Sequence, residues 1–170
     1  WVTPGVFVTG DRDIGPLTVS ASIRGDHHPE SGFIPTVRLA VLAPLADEWS
    51  VRWSGGTGFA APSSMTEEVE AIGLRSIQPA TLRDERSVGV MFDLTGRLVG
   101  AEFLLTGYGS SVNHAIHLID LGDPTLSGVL HNSTGPTQIG GAEAAAIWRF
   151  GGGNKFLLTS GYGRGTQRGA

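Results

Sequence analysis

The chain has 170 residues, a size suited to one domain, and its composition excludes several classes of protein. It contains no cysteine, which excludes a disulfide scaffold and a thiolate metal site, and its apolar content excludes a wholly disordered chain. Charged residues make up only 16%, and the net charge of −4 without a lysine or arginine cluster gives no support to nucleic-acid binding.

Alternation of apolar and polar side chains with a period of two is the main pattern of the sequence. It is clearest at residues 17–24, 49–54, 87–94 and 141–150, and no segment shows a convincing helical period. A period of two is that of a β-strand with one apolar face, so the sequence predicts an all-β protein. We predict eight main strands, at residues 3–11, 17–26, 34–44, 49–58, 86–95, 97–109, 136–150 and 155–165.

The predicted connections alternate between short and long. Short turns are expected at 12–16, at 45–48, around Gly96 and at 151–154, and long loops at 27–33, 59–85 and 110–135. This alternation predicts an antiparallel up-and-down meander with its turns at one end and its loops at the other. Transmembrane β-barrels have short periplasmic turns and long extracellular loops, and their strands turn an apolar face to lipid.

Aromatic residues near the short turns fit the interfacial girdle of a membrane barrel. The alternation also fits a soluble β-sandwich or barrel in which the same aromatic side chains form the core. The girdle candidates are Trp49, Phe92, Trp148, Phe150 and Phe156.

Five short motifs occur along the chain in a fixed order. They are GVFV with LTVSASIRGD (5–8 and 17–26), WSVRWSGGTGFAAP (49–62), IQP with RDERSVGV (77–79 and 83–90), IGGAE (139–143) and LLTSGYG (157–163). Together they resemble the barrel domain of TonB-dependent outer-membrane receptors. The chain departs from the family pattern at Ala60, where the family has arginine, and at Ala80, where it has glutamate.

The resemblance implies a larger structure than this chain can form alone. Barrels of this family have 22 strands, which need roughly 220 residues at about 10 residues a strand. We therefore expect residues 1–170 to be a partial transmembrane β-barrel domain, an interior piece that is open or incompletely closed by itself. By resemblance, the plug domain and the TonB-contacting segment lie upstream of it, and the C-terminal strands lie downstream.

The resemblance also implies a function and a location. It implies a transporter of the bacterial outer membrane that takes up a scarce ligand, such as a ferric siderophore or cobalamin. The implied partners are TonB, the plug domain, outer-membrane lipid and a small-molecule metal chelate.

Charged residues on the predicted strands are candidates for contact with the ligand. An arginine on the lipid face costs about 2–4 kcal/mol at the midplane of the bilayer, so these side chains are expected to face the lumen. Solvation and ion pairing within the lumen are an alternative role for them. The candidates are Arg24, Arg38, Arg52, Glu102, Glu143 and Arg149.

A second set of candidates lies in the predicted extracellular loops: Arg75, Arg83, His114 and His117. On a helix, the spacing of His114 and His117 would suit a shared metal ion, but in an all-β chain these histidines are expected to be exposed loop residues. We predict no metal site and no cofactor. No nucleophile–base pairing and no G-x-S-x-G motif is present, so we do not expect an enzyme.

Two other architectures fit the alternation. One is a complete eight-stranded outer-membrane barrel with a structural or adhesive role, although glycine, serine and alanine at inward positions would leave voids in so narrow a barrel. The other is a soluble lipocalin-like barrel that binds a ligand. Pairing between the first and last strands, and the face that carries Arg24, Arg38 and Arg52, distinguish these architectures.

Overall fold

The computed structural model describes residues 3–62, 77–78, 82–119 and 128–167. Within them no helix is long and apolar enough to cross a membrane. Eight long strands occur where the sequence predicts them: β1 Gly5–Ile14, β2 Leu17–His28, β3 Gly32–Ala46, β4 Trp49–Ala60, β6 Glu85–Leu98, β7 Ala101–Asn113, β10 Thr137–Arg149 and β11 Lys155–Gln167. Three short strands lie in the two long connections: β5 Ile77–Gln78, β8 Ile116–Ile119 and β9 Gly128–Asn132.

The eight long strands form one antiparallel sheet in the order β1-β2-β3-β4-β6-β7-β10-β11. Strands that follow one another in the chain are neighbours in this sheet, which confirms the predicted all-β meander. β1 and β11 are the two edges and do not pair with each other, so the sheet is open. A closed eight-stranded barrel and a lipocalin-like barrel both require that pairing, and the structure supports neither of them.

The connections differ between the two ends of the sheet. At one end, called the turn end, the strands are joined at 15–16, 47–48, 99–100 and 150–154. At the other end, called the loop end, two connections are long and carry the three short strands. The third connection of the loop end is shorter than expected, because β2 and β3 extend to leave only residues 29–31 between them.

The register separates the side chains onto two faces, since residues directly opposite each other in paired strands share a face. One row crosses four strands through Val19, Val41, Trp53 and Phe92, and it defines the apolar face. The neighbouring row crosses four strands through Arg52, Asp93, Thr106 and Glu143, and it defines the polar face.

No second layer formed by the described residues lies over the apolar face. Val8, Ile23 and Leu158 on this face are 71%, 63% and 54% exposed. Among the described residues, the buried apolar side chains are Ile34, Ala101, Ala115, Leu130 and Ala146, too few to form the core of a soluble sheet. A sheet with one apolar face must bury that face against another layer or against lipid.

Aromatic rings cluster on the apolar face at the turn end. Trp148 contacts Phe103 edge-on at a centroid distance of 6.2 Å and Phe156 at 5.7 Å. Trp49, beside the turn at 47–48, lies directly opposite Gly96 of β6. Phe150 lies outside the strands and donates its backbone N–H to the Asn154 carbonyl at 2.9 Å. Aromatic rings on the apolar face near the short turns match the interfacial girdle of a membrane barrel.

The turn expected around Gly96 is elsewhere, and this prediction was wrong. β6 continues to Leu98, and the chain reverses at Val99 and Gly100, whose φ angles of 49° and 75° are both left-handed. Gly96 lies inside the strand, where a Cβ atom would overlap the Trp49 ring. This glycine makes room for the Trp49 side chain on the neighbouring strand. It therefore meets a packing requirement and does not mark a turn.

Candidate ligand-binding surface

All six charged strand residues predicted from the sequence lie on the polar face. Their cross-strand partners in the register are Thr36 for Arg24, Ser22 for Arg38, Asp93 for Arg52, Arg97 for Glu102, Thr106 for Glu143 and Lys155 for Arg149. The register thus brings the six onto one surface, although they stand at different heights along it.

Two shallow depressions on the polar face meet at Arg38. The first has a volume of about 460 Å³, and the second a volume of about 660 Å³. Side chains with hydroxyl groups line both depressions together with arginines. The first depression is lined by Arg24, Arg38, Thr9, Ser20, Ser22 and Thr36, and the second by Arg38, Arg52, Ser54, Ser87, Asp93 and Tyr108.

A third depression of about 350 Å³ lies beside Glu143, between β7, β10 and β11. Thr106 and Thr159 line it with Glu143, and the side of the depression that faces the turn end is apolar through Leu104. Glu143 thus shares this depression with two threonines, as Arg38 and Arg52 share theirs with serine, threonine and tyrosine side chains.

Ion pairs divide the six charged residues into two groups. Arg24 contacts Asp26 on its own strand at 2.7 Å. At the turn end, Glu102 contacts Arg97 at 2.8 Å and Arg149 at 2.9 Å, and so joins three neighbouring strands.

Arg38 and Arg52 make no ion pair with any described residue. A guanidinium group presents a planar fork of N–H donors that matches a carboxylate or a similar anion. Among the six charged candidates, Arg38 and Arg52 are the two arginines without an ion pair to a described residue, although Asp93 lies opposite Arg52 on β6.

The loop end carries a second sheet made from both long connections. β5 pairs with β9 in parallel, and β9 pairs with β8 antiparallel, in the order β5-β9-β8. The connection between β4 and β6 is thus joined to the connection between β7 and β10. No sequence pattern indicates this pairing, because the three strands are only two to five residues long and β5 lies about fifty residues before β9.

Asn132 at the end of β9 joins three segments of the loop end. Its Oδ1 accepts from the backbone N–H of Arg83 at 2.6 Å, and its Nδ2 donates to the carbonyl of Arg83 at 2.9 Å and to that of His114 at 2.7 Å. Glu85 accepts from the backbone N–H of Ile116 at 2.6 Å. Ser31 donates to Asp84 and so ties the β2–β3 turn to the same region.

The loop candidates predicted from the sequence fall in different places. Arg83 and His114 line one depression of about 460 Å³ with Asp84 and Arg86. His114 is in the tight turn after β7, with a φ of 58°, while His117 lies on β8 opposite His131. Arg75 lies outside the described residues.

Sequence reasoning missed His131 and Asn132. Both lie on β9, in a connection that matched no motif, and their roles depend on the register of β8 and β9. Within the described residues, no three side chains of histidine, aspartate or glutamate form a group that could hold a metal ion.

Comparison with known proteins identifies the architecture. No protein-family model matches the sequence. The siderophore receptor PirA from Pseudomonas aeruginosa matches over 97% of this chain with a TM-score of 0.77 and 15% identity. The copper transporter OprC matches over 97% with a TM-score of 0.77 and 15% identity, and the FrpB iron transporter from Neisseria meningitidis over 96% with a TM-score of 0.69 and 17% identity.

The chain covers only part of each of these proteins: 32% of PirA, 28% of OprC and 26% of FrpB. These structures are those of receptors and transporters rather than enzymes. At this level of identity the similarity is one of fold, and it agrees with the open, two-faced sheet. The chain has the fold of a segment of a TonB-dependent receptor barrel.

Proposed function

We propose that this chain forms about eight strands of the wall of a TonB-dependent transporter in the bacterial outer membrane. The observation that carries the proposal is the open sheet itself, with one exposed apolar face, one charged face and unpaired edges. Such a sheet is complete only when lipid covers the apolar face and further strands extend its edges. In this proposal the remaining strands and the plug domain are supplied outside the 170 residues.

The polar face lines the lumen in this proposal, opposite the plug. The cargo is a scarce anionic chelate, such as a ferric siderophore, or cobalamin, and TonB supplies the energy for its entry. Arg38 and Arg52 support an anionic cargo, since neither forms an ion pair with a described residue, although Asp93 lies opposite Arg52 in the register. The Glu102 carboxylate has a structural role near the turn end, because it pairs with Arg97 and Arg149.

Uptake by whole cells tests this function. The gene for the full-length protein would be deleted. Entry of radiolabelled ferric siderophores and of radiolabelled cyanocobalamin would then be measured in the deletion strain and in the complemented strain. We expect deletion to abolish uptake of at least one of these ligands. For that ligand, we expect Arg38→Ala and Arg52→Ala to raise the concentration needed for half-maximal uptake about tenfold each, the effect of losing a charged hydrogen bond.

Lys155→Ala is the matched control, because Lys155 is a cation on the same face but stands at the turn end, away from the depressions around Arg38. It should leave uptake unchanged. Membrane fractionation should recover the protein with the outer membrane. Recovery in the soluble fraction, or unchanged uptake of every ligand in the deletion strain, would contradict the proposal.

A further inference from the structure

Two histidines face each other across the hairpin at the loop end. His117 of β8 lies directly opposite His131 of β9, so both side chains project from the same face of the hairpin. Their ring centroids are 6.1 Å apart, and their planes are inclined at 57°. Imidazole nitrogens bind divalent transition ions at about 2.0–2.1 Å, so two rings that share one ion have centroids on the order of 5–6 Å apart.

The hydrogen bonding of the two rings leaves a nitrogen of each available. Nδ1 of His131 lies 3.4 Å from the carbonyl oxygen of His117, and in the tautomer that donates Nδ1–H to this carbonyl, Nε2 carries no proton and can bind an ion. Metal-binding histidines commonly donate one ring N–H to a backbone carbonyl in this way. Nε2 of His117 is shielded from solvent and has no hydrogen-bond partner in the described part of the chain.

The backbone around the pair is fixed by hydrogen bonds to neighbouring segments. The N–H of Ser133 donates to the carbonyl of Ala115 at 2.8 Å, and the side chains of Asn132 and Glu85 hold the two flanks of the hairpin. Leu130, next to His131, is 2% exposed. Hydrogen bonds therefore hold the backbone that carries the two rings, and a binding site on a fixed backbone needs little rearrangement to bind an ion.

From this geometry we propose that His117 and His131 together bind a divalent late transition ion, Cu²⁺, Ni²⁺ or Zn²⁺. Imidazole suits these ions, and affinity within the series is highest for Cu²⁺. No third histidine, aspartate or glutamate joins the pair among the residues that the structure describes. Water, or the donors of a chelate that leaves two positions open, completes the coordination. The site does not depend on the proposed transport, since it is defined by the hairpin alone.

Direct binding of Cu²⁺ to the full-length protein in detergent tests the site. We expect calorimetric titration to show that His117→Asn and His131→Asn each weaken Cu²⁺ binding at least about tenfold, because loss of even an outer-shell partner of a metal ligand costs ~10–100-fold. Electron paramagnetic resonance of the Cu²⁺ complex should count two imidazole nitrogens in the native protein and one in each variant. His27→Asn, which alters an exposed histidine on β2, is the matched control and should change neither result.

Ni²⁺ compounds distinguish a free ion from a chelate. Ni²⁺-nitrilotriacetate leaves two coordination positions open, and Ni²⁺-EDTA leaves none. Binding of Ni²⁺ and of the nitrilotriacetate complex, without binding of the EDTA complex, supports a site that takes open chelates, and binding of Ni²⁺ alone supports a site for the free ion. Native-like Cu²⁺ affinity in both variants would overturn the proposal. So would fewer than two imidazole nitrogens in the native spectrum, a result that needs no variant to fold. Both measurements use purified protein and do not depend on uptake. A failure of the proposed transport can therefore be told apart from a failure of this site to bind metal.

Discussion

Gly96 positions an aromatic ring at the turn end of the sheet by having no side chain. Its place opposite Trp49 leaves the indole lying over the backbone of β6, on the apolar face. Gly107, on the same face of β7, has open space where a Cβ atom would stand. The two glycines therefore occupy the same face for different reasons.

We expect Gly96→Ala to destabilise the folded protein by about 1–3 kcal/mol, the usual cost of forcing an extra methyl group into a packed position. Gly107→Ala should have little effect or stabilise slightly, since alanine restricts the unfolded chain. Urea unfolding in lipid bilayers, followed by tryptophan fluorescence, measures both. Equal stability of the two variants would show that Trp49 does not rest on Gly96.

Asn132 holds the loop end together through three hydrogen bonds to backbone groups of Arg83 and His114. At about 0.5–1.5 kcal/mol a bond, Asn132→Ala should destabilise this region by roughly 2–4 kcal/mol. The long strands keep their own hydrogen bonds, so the loss should be local. Hydrogen exchange should therefore accelerate at the amides of Arg83 and Ile116 and stay slow in β6 and β7. Asn113→Ala, which removes an exposed amide at the end of β7, is the control, and equally fast exchange in that variant would contradict this role of Asn132.

At the scale of single residues, the sequence predicts which charges share a face but not what they touch. Placement of Arg24, Arg38 and Arg52 on one face follows from the two-residue period of a strand, which the sequence shows directly. The pairing of Glu102 with Arg97 and Arg149 depends on the register of three strands. A register is set by long-range contacts that no local pattern contains.

The strands are the most predictable elements, because each keeps one face apolar along its whole length. All eight long strands lie where the alternation indicates, and each prediction errs by a few residues at its ends. The short strands β5, β8 and β9 escape prediction, since two to five residues are too few to show a period. The pairing of β5 with β9 brings together segments about fifty residues apart, and the sequence carries no signal for that contact.

Ala144 and Ala145 on β10 allow a direct test of the two faces. They are neighbours of the same residue type: Ala144 lies opposite Leu105 and Ser160 on the apolar face, and Ala145 lies opposite Leu104 and Thr159 on the polar face. Both are about four residues from the aromatic ring of Trp148, well inside the strand.

We expect Ala144→Arg to cost about 2–4 kcal/mol in a bilayer and Ala145→Arg to cost much less, because in the proposed barrel wall only the first substitution places a guanidinium group against lipid. Urea unfolding in lipid bilayers, and the yield of assembled protein in the outer membrane, measure the difference. Equal costs, or a larger cost for Ala145→Arg, would mean that the apolar face is not the one in contact with lipid.

At the scale of the whole molecule, the sheet has the asymmetry of a barrel wall. One face is apolar and uncovered, the other carries charges and hydroxyl groups, one end has short turns and the other has joined loops. A soluble sheet would cover the apolar face with a second layer, and a small barrel would pair its first and last strands. The unpaired edges at β1 and β11 are compatible with a barrel only if other strands continue it.

The distance between the two edges in the outer membrane tests this account most directly. Spin labels would be placed at Thr9→Cys on β1 and Thr159→Cys on β11 of the full-length protein, both on the polar face. Eight strands separated by seven steps of about 4.8 Å span an arc of about 34 Å, so we predict a label separation well above 20 Å by pulsed electron paramagnetic resonance. Thr9→Cys with Ser22→Cys, a directly opposed pair on β1 and β2, gives the separation of neighbouring strands. A Thr9–Thr159 separation equal to that of the neighbouring pair would show a closed eight-stranded barrel and contradict the account.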